Sequence, residues 1–209
     1  MNKLLLPLAL LSLAIAVQAE PVSLFDGKTL EGWDGDAKTW RVEDGTIAAG
    51  RLDEKAPRNE FIAAKRTYKN FDLKLKFKLL GSEGFVNSGV QFRSVRIENP
   101  PNEMSGYQAD LGDPTYWGNL YDESRRKKTL VQADMVEVNK ALRRNEWNDY
   151  RIRAVGRRIQ IWINGLQTVD YTEADPSIPQ EGLIALQIHG NGKTEVYFKE
   201  IVIEELPAE

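Results

Sequence analysis

Cysteine is absent from the 209 residues, and histidine occurs once, at His189. The first absence removes disulfides, thiolate metal sites and the lipid-modified cysteine of a bacterial lipoprotein. One histidine cannot build a multi-histidine zinc centre. Gly-x-Ser-x-Gly, His-Glu-x-x-His, Walker and dinucleotide-binding motifs are all missing. Charge of one sign is also lacking, with 28 Lys and Arg against 31 Asp and Glu and a formal charge of −3. The basic runs Arg125-Arg126-Lys127-Lys128, Arg143-Arg144 and Arg157-Arg158 each have acids nearby, so the concentrated field that nucleic acid requires is not present.

Long apolar runs are scarce too. Leu4 to Val17, broken only by Pro7 and Ser12, follows the positive Lys3 and precedes Val17-Gln18-Ala19. It is shorter than the roughly 20 residues that span a bilayer. With its small-x-small end it reads as an export signal cleaved after Ala19. Cleavage leaves 190 of the 209 residues, shifts the formal charge to −4 by removing Lys3, and leaves no membrane anchor. The expected product is one domain with a full hydrophobic core, either periplasmic or outside the cell. Its oligomeric state is not legible.

The dominant period is two. Phe71, Leu73, Leu75, Phe77 and Leu79 alternate with Asp72, Lys74, Lys76 and Lys78, as in a strand with one buried face. Its lysine row also suggests protection against edge pairing. Hairpins are expected around Asp44-Gly45 and, more strongly, Asn164-Gly165, a pair suited to the positive φ angles of a type I′ turn. Further strands are expected at 88–97, 106–111, 149–155, 182–188 and 195–204, with one short helix at 133–142. Many short strands between turns indicate an all-β sandwich or barrel.

Three strands carry polar pairs at i and i+2, which pleating puts on one face. They are Gln91 with Arg93, Gln108 with Asp110, and Gln187 with His189. Such side chains present directed donors and acceptors, and Tyr107, Tyr116, Trp117 and Tyr121 supply aromatic surface nearby. Together they suit a carbohydrate, a dense set of hydroxyls around apolar C–H faces. The alternative is a set of solvated surface positions. His189 is either structural or a proton switch. Tyr121-Asp-Glu-Ser-Arg-Arg126, expected in a loop, is either an ion-paired brace or a site in which Asp122 or Glu123 acts as acid or base beside Arg125 or Arg126. No cofactor is evident, and a carboxylate site for calcium or another divalent metal stays open although no loop spells one out.

Ser23-Leu-Phe-Asp-Gly-Lys-Thr-Leu-Glu-Gly-Trp33, Asn87-Ser-Gly-Val-Gln-Phe-Arg93, Gly106-Tyr-Gln-Ala-Asp110, Trp117-Gly-Asn-Leu-Tyr-Asp-Glu-Ser-Arg-Arg126, Asn145-Glu-Trp-Asn148, Ile163-Asn-Gly165 and Gly182-Leu-Ile-Ala-Leu-Gln-Ile-His-Gly190 occur in this order. The series resembles the domain of unknown function 1080, or 3-keto-disaccharide hydrolase, family across nearly the whole exported chain. Val196-Tyr-Phe-Lys-Glu-Ile201 departs from the Phe-Arg-Asn-Ile often found there. The resemblance implies a concanavalin A-like jelly-roll β-sandwich of two antiparallel sheets. It also implies cleavage of glycosides oxidised at C3, in a polar groove on the concave sheet. Such chemistry needs a base near C2, an acid near the glycosidic oxygen and a group on the C3 oxyanion. Glu123, His189, Asp110 and Asp122 are the acid and base candidates, with Arg93 and Arg125 for the oxyanion. Asn87, Gln91, Gln108 and Gln187 would hold hydroxyls, with Trp117 or Tyr121 stacking on the sugar. The alternating Glu-x-Asp-x-Glu of several jelly-roll glucanases is absent. A non-catalytic carbohydrate-binding domain on the same fold is the main rival, and an ordinary glycosidase on unoxidised sugar a third possibility.

Export is checked by expressing the chain in a Gram-negative host and weighing the product. The expected mature protein starts at Glu20 and is found outside the cytoplasm; an intact Met1 form retained in the cell would overturn the signal assignment.

Overall fold

The computed structural model describes residues 19–207. Residues 1–18, on which most of the export signal is read, lie outside it. In chain order the strands are β1 (Val22–Ser23), β2 (Trp33–Asp34), β3 (Trp40–Glu43), β4 (Thr46–Arg51), β5 (Glu60–Tyr68), β6 (Phe71–Gly84), β7 (Asn87–Ile97) and β8 (Glu103–Gly112). There follow β9 (Leu120–Glu123), β10 (Lys128–Val131), helix α1 (Met135–Ala141), β11 (Asn148–Val155), β12 (Arg158–Ile163), β13 (Leu166–Thr172), β14 (Gly182–Ile188) and β15 (Gly192–Glu205). No helix among the described residues is long and apolar enough to cross a membrane.

Two antiparallel sheets pack face to face. The first runs β13-β12-β11-β6-β15-β4-β3, with β1 on β15, and the second runs β10-β9-β8-β7-β14-β5-β2. This is the jelly-roll sandwich expected from the sequence. Alternation builds its core: Phe71, Leu73, Leu75, Phe77 and Leu79 of β6 meet Val90 and Phe92 of β7, Tyr107, Ala109 and Leu111 of β8, and Ile184, Leu186 and Ile188 of β14. Phe71 meets Phe92 edge-on at 6.2 Å, and Phe92 stacks on Tyr107 at 5.6 Å. Removing such rings from water contributes about 2–3 kcal/mol each, so the pleat that buries them also fixes which side chains face away.

Both hairpins form as their turn residues require, with φ of 46° and 74° at Asp44-Gly45 and 48° and 85° at Asn164-Gly165. The helix is confined to Met135–Ala141, because Asp134 caps it by accepting from the Val136 and Glu137 amides. Two sequence expectations need correction, and one strand escapes the sequence pattern. The lysine row of β6 guards no edge, since β6 is hydrogen-bonded to β11 and β15 on either side. Tyr121 to Glu123 is strand rather than loop, paired to both β8 and β10. Strand β5 was not foreseen; its Ala63-Ala64 and Lys65-Arg66-Thr67 mask the alternation.

The strand at β9 decides the nature of the acid–arginine cluster. Asp122 pairs with Tyr107 across the ladder and points into the sandwich, fully buried. There Arg125 donates from Nε to its Oδ1 at 2.9 Å and Arg126 bonds its Oδ2. Arg126 also donates to Glu173 at 2.8 Å, Tyr107 donates to the same carboxylate at 2.6 Å, and both guanidinium groups lie over the Tyr107 ring. Asp122 and Arg125 are therefore a brace tying β8 and β9 to the end of β13. They do not form the acid–base or oxyanion site expected of them.

Burial alone would raise the Glu173 carboxyl, but hydrogen bonds from Arg126 and Tyr107 outweigh it and hold it at about 2 against an ordinary 4.5. A lowered acid stabilises the fold fully above its unfolded value, and that contribution is lost as pH falls from about 4.5 through 2. The difference corresponds to about 3 kcal/mol. Glu173→Gln is accordingly expected to flatten the decline of stability across this window, measured as urea-unfolding free energy at each pH. An unchanged slope would show that another group carries the acid sensitivity.

Candidate functional site

The face of the second sheet turned away from the core is polar through three strands. Registers bring Gln91 of β7 opposite both Ala185 of β14 and Gln108 of β8, and Gly89 opposite both Gln187 and Asp110. The side chains form one directed chain. Ser94 Oγ donates to Gln91 at 2.6 Å, and Gln91 Nε2 donates to Gln108 Oε1 at 2.7 Å. Gln108 Nε2 then donates to Asp110 Oδ1 at 2.7 Å and to Gln187 Oε1 at 3.1 Å. Gln187 Nε2 finally reaches Glu123 Oε2 at 3.4 Å. Each amide spends its oxygen upstream and its nitrogen downstream, so the donors all point toward two carboxyl groups.

This chain depends on Gly89. A Cβ there would lie 2.6 Å from Gln108 Cδ, because the Gln108 side chain crosses directly over the Gly89 backbone to reach β14. Gly89 is required for this close approach.

Glu123 projects opposite to Asp122 and is half-buried on the polar face. Burial pushes its carboxyl up to about 7; the neighbouring Glu103 carboxyl adds to the rise, while the Ser124 amide, Gln187 and Lys127 oppose it. Asp110 is raised further, to about 8, by burial first and by the Glu123 charge, with Gln108 only partly offsetting them. Its Oδ1 is held by Gln108, whereas Oδ2 makes no hydrogen bond among the described residues and is the place for the proton. One face thus holds two carboxyls that burial keeps protonated to well above the ordinary carboxylate range. Carboxyls whose protons are held to near neutral pH are suited to give and take protons there.

His189 lies on the same face, half-buried at the end of β14. Its Nδ1 is 2.8 Å from the Gly190 carbonyl, which can only accept, so the proton sits on Nδ1 and Nε2 keeps the lone pair. Burial lowers its pKa despite that bond, keeping the ring neutral. Asn87 is held in the same row by the His189 amide, which donates to its carbonyl at 3.2 Å. Tyr121, paired with Gln108, is half-exposed and within electrostatic reach of Asp110, Glu123 and Tyr116.

Several residues singled out from the sequence fall elsewhere. Arg93 was expected beside Gln91, but the ladder slips between Phe92 and Val95 and Arg93 adopts φ 48°, a bulge that turns its side chain away. Its guanidinium donates instead to the carbonyls of Lys69 and Gly156 and to Gln180 at 2.6–3.0 Å. Burial lowers that group to about 10, leaving it charged but wholly engaged. Trp117 is core, stacked on Phe77 at 6.1 Å with its indole N–H on Asp113, so it cannot stack on a sugar. Gln91 has no exposed surface and supports Gln108 from behind. Conversely, Glu103, Lys127 and Phe85 belong to the site and were not picked out. Glu103 and Phe85 carry no local signal, and Lys127 stood only in a basic run.

Among the described residues no three His, Asp or Glu side chains gather as a metal ligand set. A cavity of about 420 Å³ opens beside the loop after β4, lined by Arg41, Arg51, Arg58 and Glu60 among others. Several of its charges pair within it, as in Arg51–Asp53 and Arg58–Glu60, and none of the residues in the amide chain lines it. The paired carboxyls therefore mark the better candidate.

Fold and site together define a jelly-roll sandwich that carries a buried amide–carboxyl network on one sheet face. The chain belongs to the family described as the 3-keto-alpha-glucoside-1,2-lyase-like domain, which it matches over residues 20–204. A curated 3-keto-disaccharide hydrolase of Bacteroides thetaiotaomicron is 30% identical over 115 residues, 50% of this chain and 37% of that protein. The match thus spans little more than a third of that relative's length. A glycosyl hydrolase-like structure from Parabacteroides distasonis superposes with a TM-score of 0.67 at 22% identity, covering 90% of this chain and 94% of that one. Carbohydrate-binding module CBM66 of Bacillus subtilis gives 0.65 at 15% identity, over 83% and 96% of the two chains. At these identities the structural likeness is one of fold.

A buried acid raised above its unfolded value opposes folding as pH climbs. Native Asp110 keeps a proton that the unfolded chain has lost between pH 3.8 and 8, so its contribution to stability falls across that window. Asp110→Asn should therefore be more stable than the parent at pH 8, by a few kcal/mol, and nearly equal to it below pH 4. Thermal unfolding at the two pH values checks this; no gain at pH 8 would show that Asp110 ionises freely.

Proposed function

We propose that this protein cleaves glycosides already oxidised to a ketone at C3, by elimination and hydration, after export from the cytoplasm. The observation that carries this reading is the pair of carboxyls, Asp110 and Glu123, on one sheet face, both raised by burial and tied together by the Gln108–Gln187 amides. Family membership and the B. thetaiotaomicron relative's name support the substrate class.

The chemistry follows from the ketone, which acidifies the C2 hydrogen. In the proposed sequence Glu123 takes that proton, and the electrons of the C2–H bond form the C1=C2 double bond as the C1–O bond to the aglycone breaks. The departing oxygen takes the proton on Asp110 Oδ2. Water then adds to C1, giving up a proton to Asp110 while Glu123 returns its own to C2, and both carboxyls recover their starting states. The net change is hydrolysis. A base near pKa 7 and an acid near 8 suit proton transfer at neutral pH. Glu103 keeps Glu123 basic by like-charge repulsion. Lys127, whose charge already acts on both glutamates, supplies the cation for the C3 oxyanion in place of Arg93. His189 Nε2 and Asn87 remain to receive hydroxyls.

The test is aglycone release from a 3-keto-glucoside and its unoxidised parent, with and without EDTA. Release from the keto substrate alone is expected. Its kcat/KM should rise as Glu123 ionises near pH 7 and fall as Asp110 loses its proton near pH 8, the two apparent values belonging to the coupled pair. Glu123→Gln should lower kcat by roughly 100- to 10,000-fold while keeping ligand affinity. Glycan binding without release from either substrate would favour a purely binding protein, and loss of release in EDTA would move the carboxyls to metal coordination.

A further inference from the structure

A cluster of half-exposed rings lies beyond the carboxyls. Phe85 meets His189 edge-to-face at 4.5 Å and Tyr116 edge-to-face at 5.3 Å. All three rings are half-buried rather than core, and they come from three separate chain segments: the β6–β7 turn, the β8–β9 connection and the end of β14. Phe85 is the one phenylalanine among the described residues that is not buried, and a Phe left partly in water against two other half-exposed rings calls for a reason.

Phe85 is also rigidly placed. Its amide donates to the Asn191 carbonyl at 3.2 Å, and Asn191 in turn donates to Ala56 at 2.8 Å. The flanking backbone is packed tightly enough that a Cβ on Gly84 would lie 2.1 Å from the Asn191 oxygen, and one on Gly192 would lie 2.3 Å from the Phe85 oxygen. These contacts fix the backbone that carries the ring.

The order along the sheet gives the cluster its role. Glu123 pairs with Gly106 near the start of β8, and Asp110 lies four residues further along the same strand. His189, Asn87 and Gly112 form the row beyond Asp110, and Tyr116 and Phe85 border that end. On the reading above, the base faces C2 and the acid faces the glycosidic oxygen. What lies past the acid is the leaving group. We propose that Phe85, Tyr116 and His189 form an aglycone subsite that selects leaving groups with a flat apolar face, either an aryl ring or the C–H face of a second pyranose. Offset and edge contacts to such a face are the ones these rings favour. The inference rests on the acid–base assignment only for the direction of the subsite.

The experiment measures Kd by calorimetry for methyl, phenyl and glucosyl 3-keto-α-glucosides and for their unoxidised parents. It uses Glu123→Gln protein to suppress turnover, with and without Phe85→Ala or Tyr116→Phe, each checked for native melting. Phenyl and glucosyl ligands are expected to bind at least 10-fold tighter than methyl, with Phe85→Ala collapsing the ratio to about 2 or less while the methyl Kd holds. Phe85→Trp should restore the preference. A ratio that Phe85→Ala leaves unchanged overturns the subsite, as does failure of every ligand to bind. A ratio that collapses as expected in a protein whose wild type releases no aglycone would retain the subsite and reject the catalytic reading.

Discussion

A buried amide must find partners for both its oxygen and its nitrogen, and on the polar face of the second sheet this requirement governs everything near the site. Gln91, Gln108 and Gln187 are almost wholly withdrawn from water. Leaving one of their donors unmatched costs about 1–3 kcal/mol. The chain of bonds from Ser94 satisfies each in turn and finishes where only acceptors remain, at Asp110 and Glu123. Reversing one amide would set its oxygen against the oxygen it now donates to, so the orientations of the three are coupled. The same bonds fix which carboxyl oxygen is occupied, and hence where a proton can sit.

That arrangement is unfavourable to the fold. Two raised carboxyls act on one another across one face, and the more buried one keeps its proton at the expense of stability at high pH. Across the sheet, the cluster of Asp122, Arg125, Arg126 and Glu173 has the opposite character. Its acids accept from guanidinium groups, and Glu173 also accepts from the Tyr107 phenol, donors that hold the Glu173 carboxyl well below the ordinary carboxylate range. Consecutive residues of β9 thus serve opposite purposes: Asp122 is tied to two guanidinium groups inside the sandwich, and Glu123, raised toward neutrality, stands on the polar face outside it. The rigid side supports the reactive side, because β9 is placed by the brace and Glu123 rides on it.

The fold was legible because its signals are local. Alternation along β6, β8, β11 and β14 and the Asp-Gly and Asn-Gly turns each read correctly without knowledge of the partner strands. Site legibility stopped where local rules gave way. Gln91, Gln108, Asp110, Gln187 and His189 share a face as the two-residue period required. Arg93 did not, because one bulge residue with positive φ reverses the parity of everything beside it, and nothing in Phe92-Arg93-Ser94 announces that reversal. Trp117 was misread because an aromatic in a turn looks exposed until its neighbour across the sandwich, Phe77, is known. Glu103 and Phe85 were missed for a related reason: each matters through a residue distant in sequence, Glu123 and His189 respectively.

The division between Asp122 and Glu123 bears on the choice between catalyst and binder. A binding face has no need to keep carboxyls near neutrality; ionised acids, or plain amides, hold sugar hydroxyls as well and destabilise the fold less. Gly89 sharpens the point. It gives up a side chain on a central strand so that Gln108 can cross to Gln187, and the only products of that crossing are a bond to Asp110 and, one step later, a bond to Glu123. A lectin surface would gain little from such buried wiring, since none of the three amides reaches solvent to touch a ligand. Wiring of this kind makes physical sense where the protonation and orientation of two acids have to be set before the substrate arrives, which is the condition for proton transfer within a preorganised site.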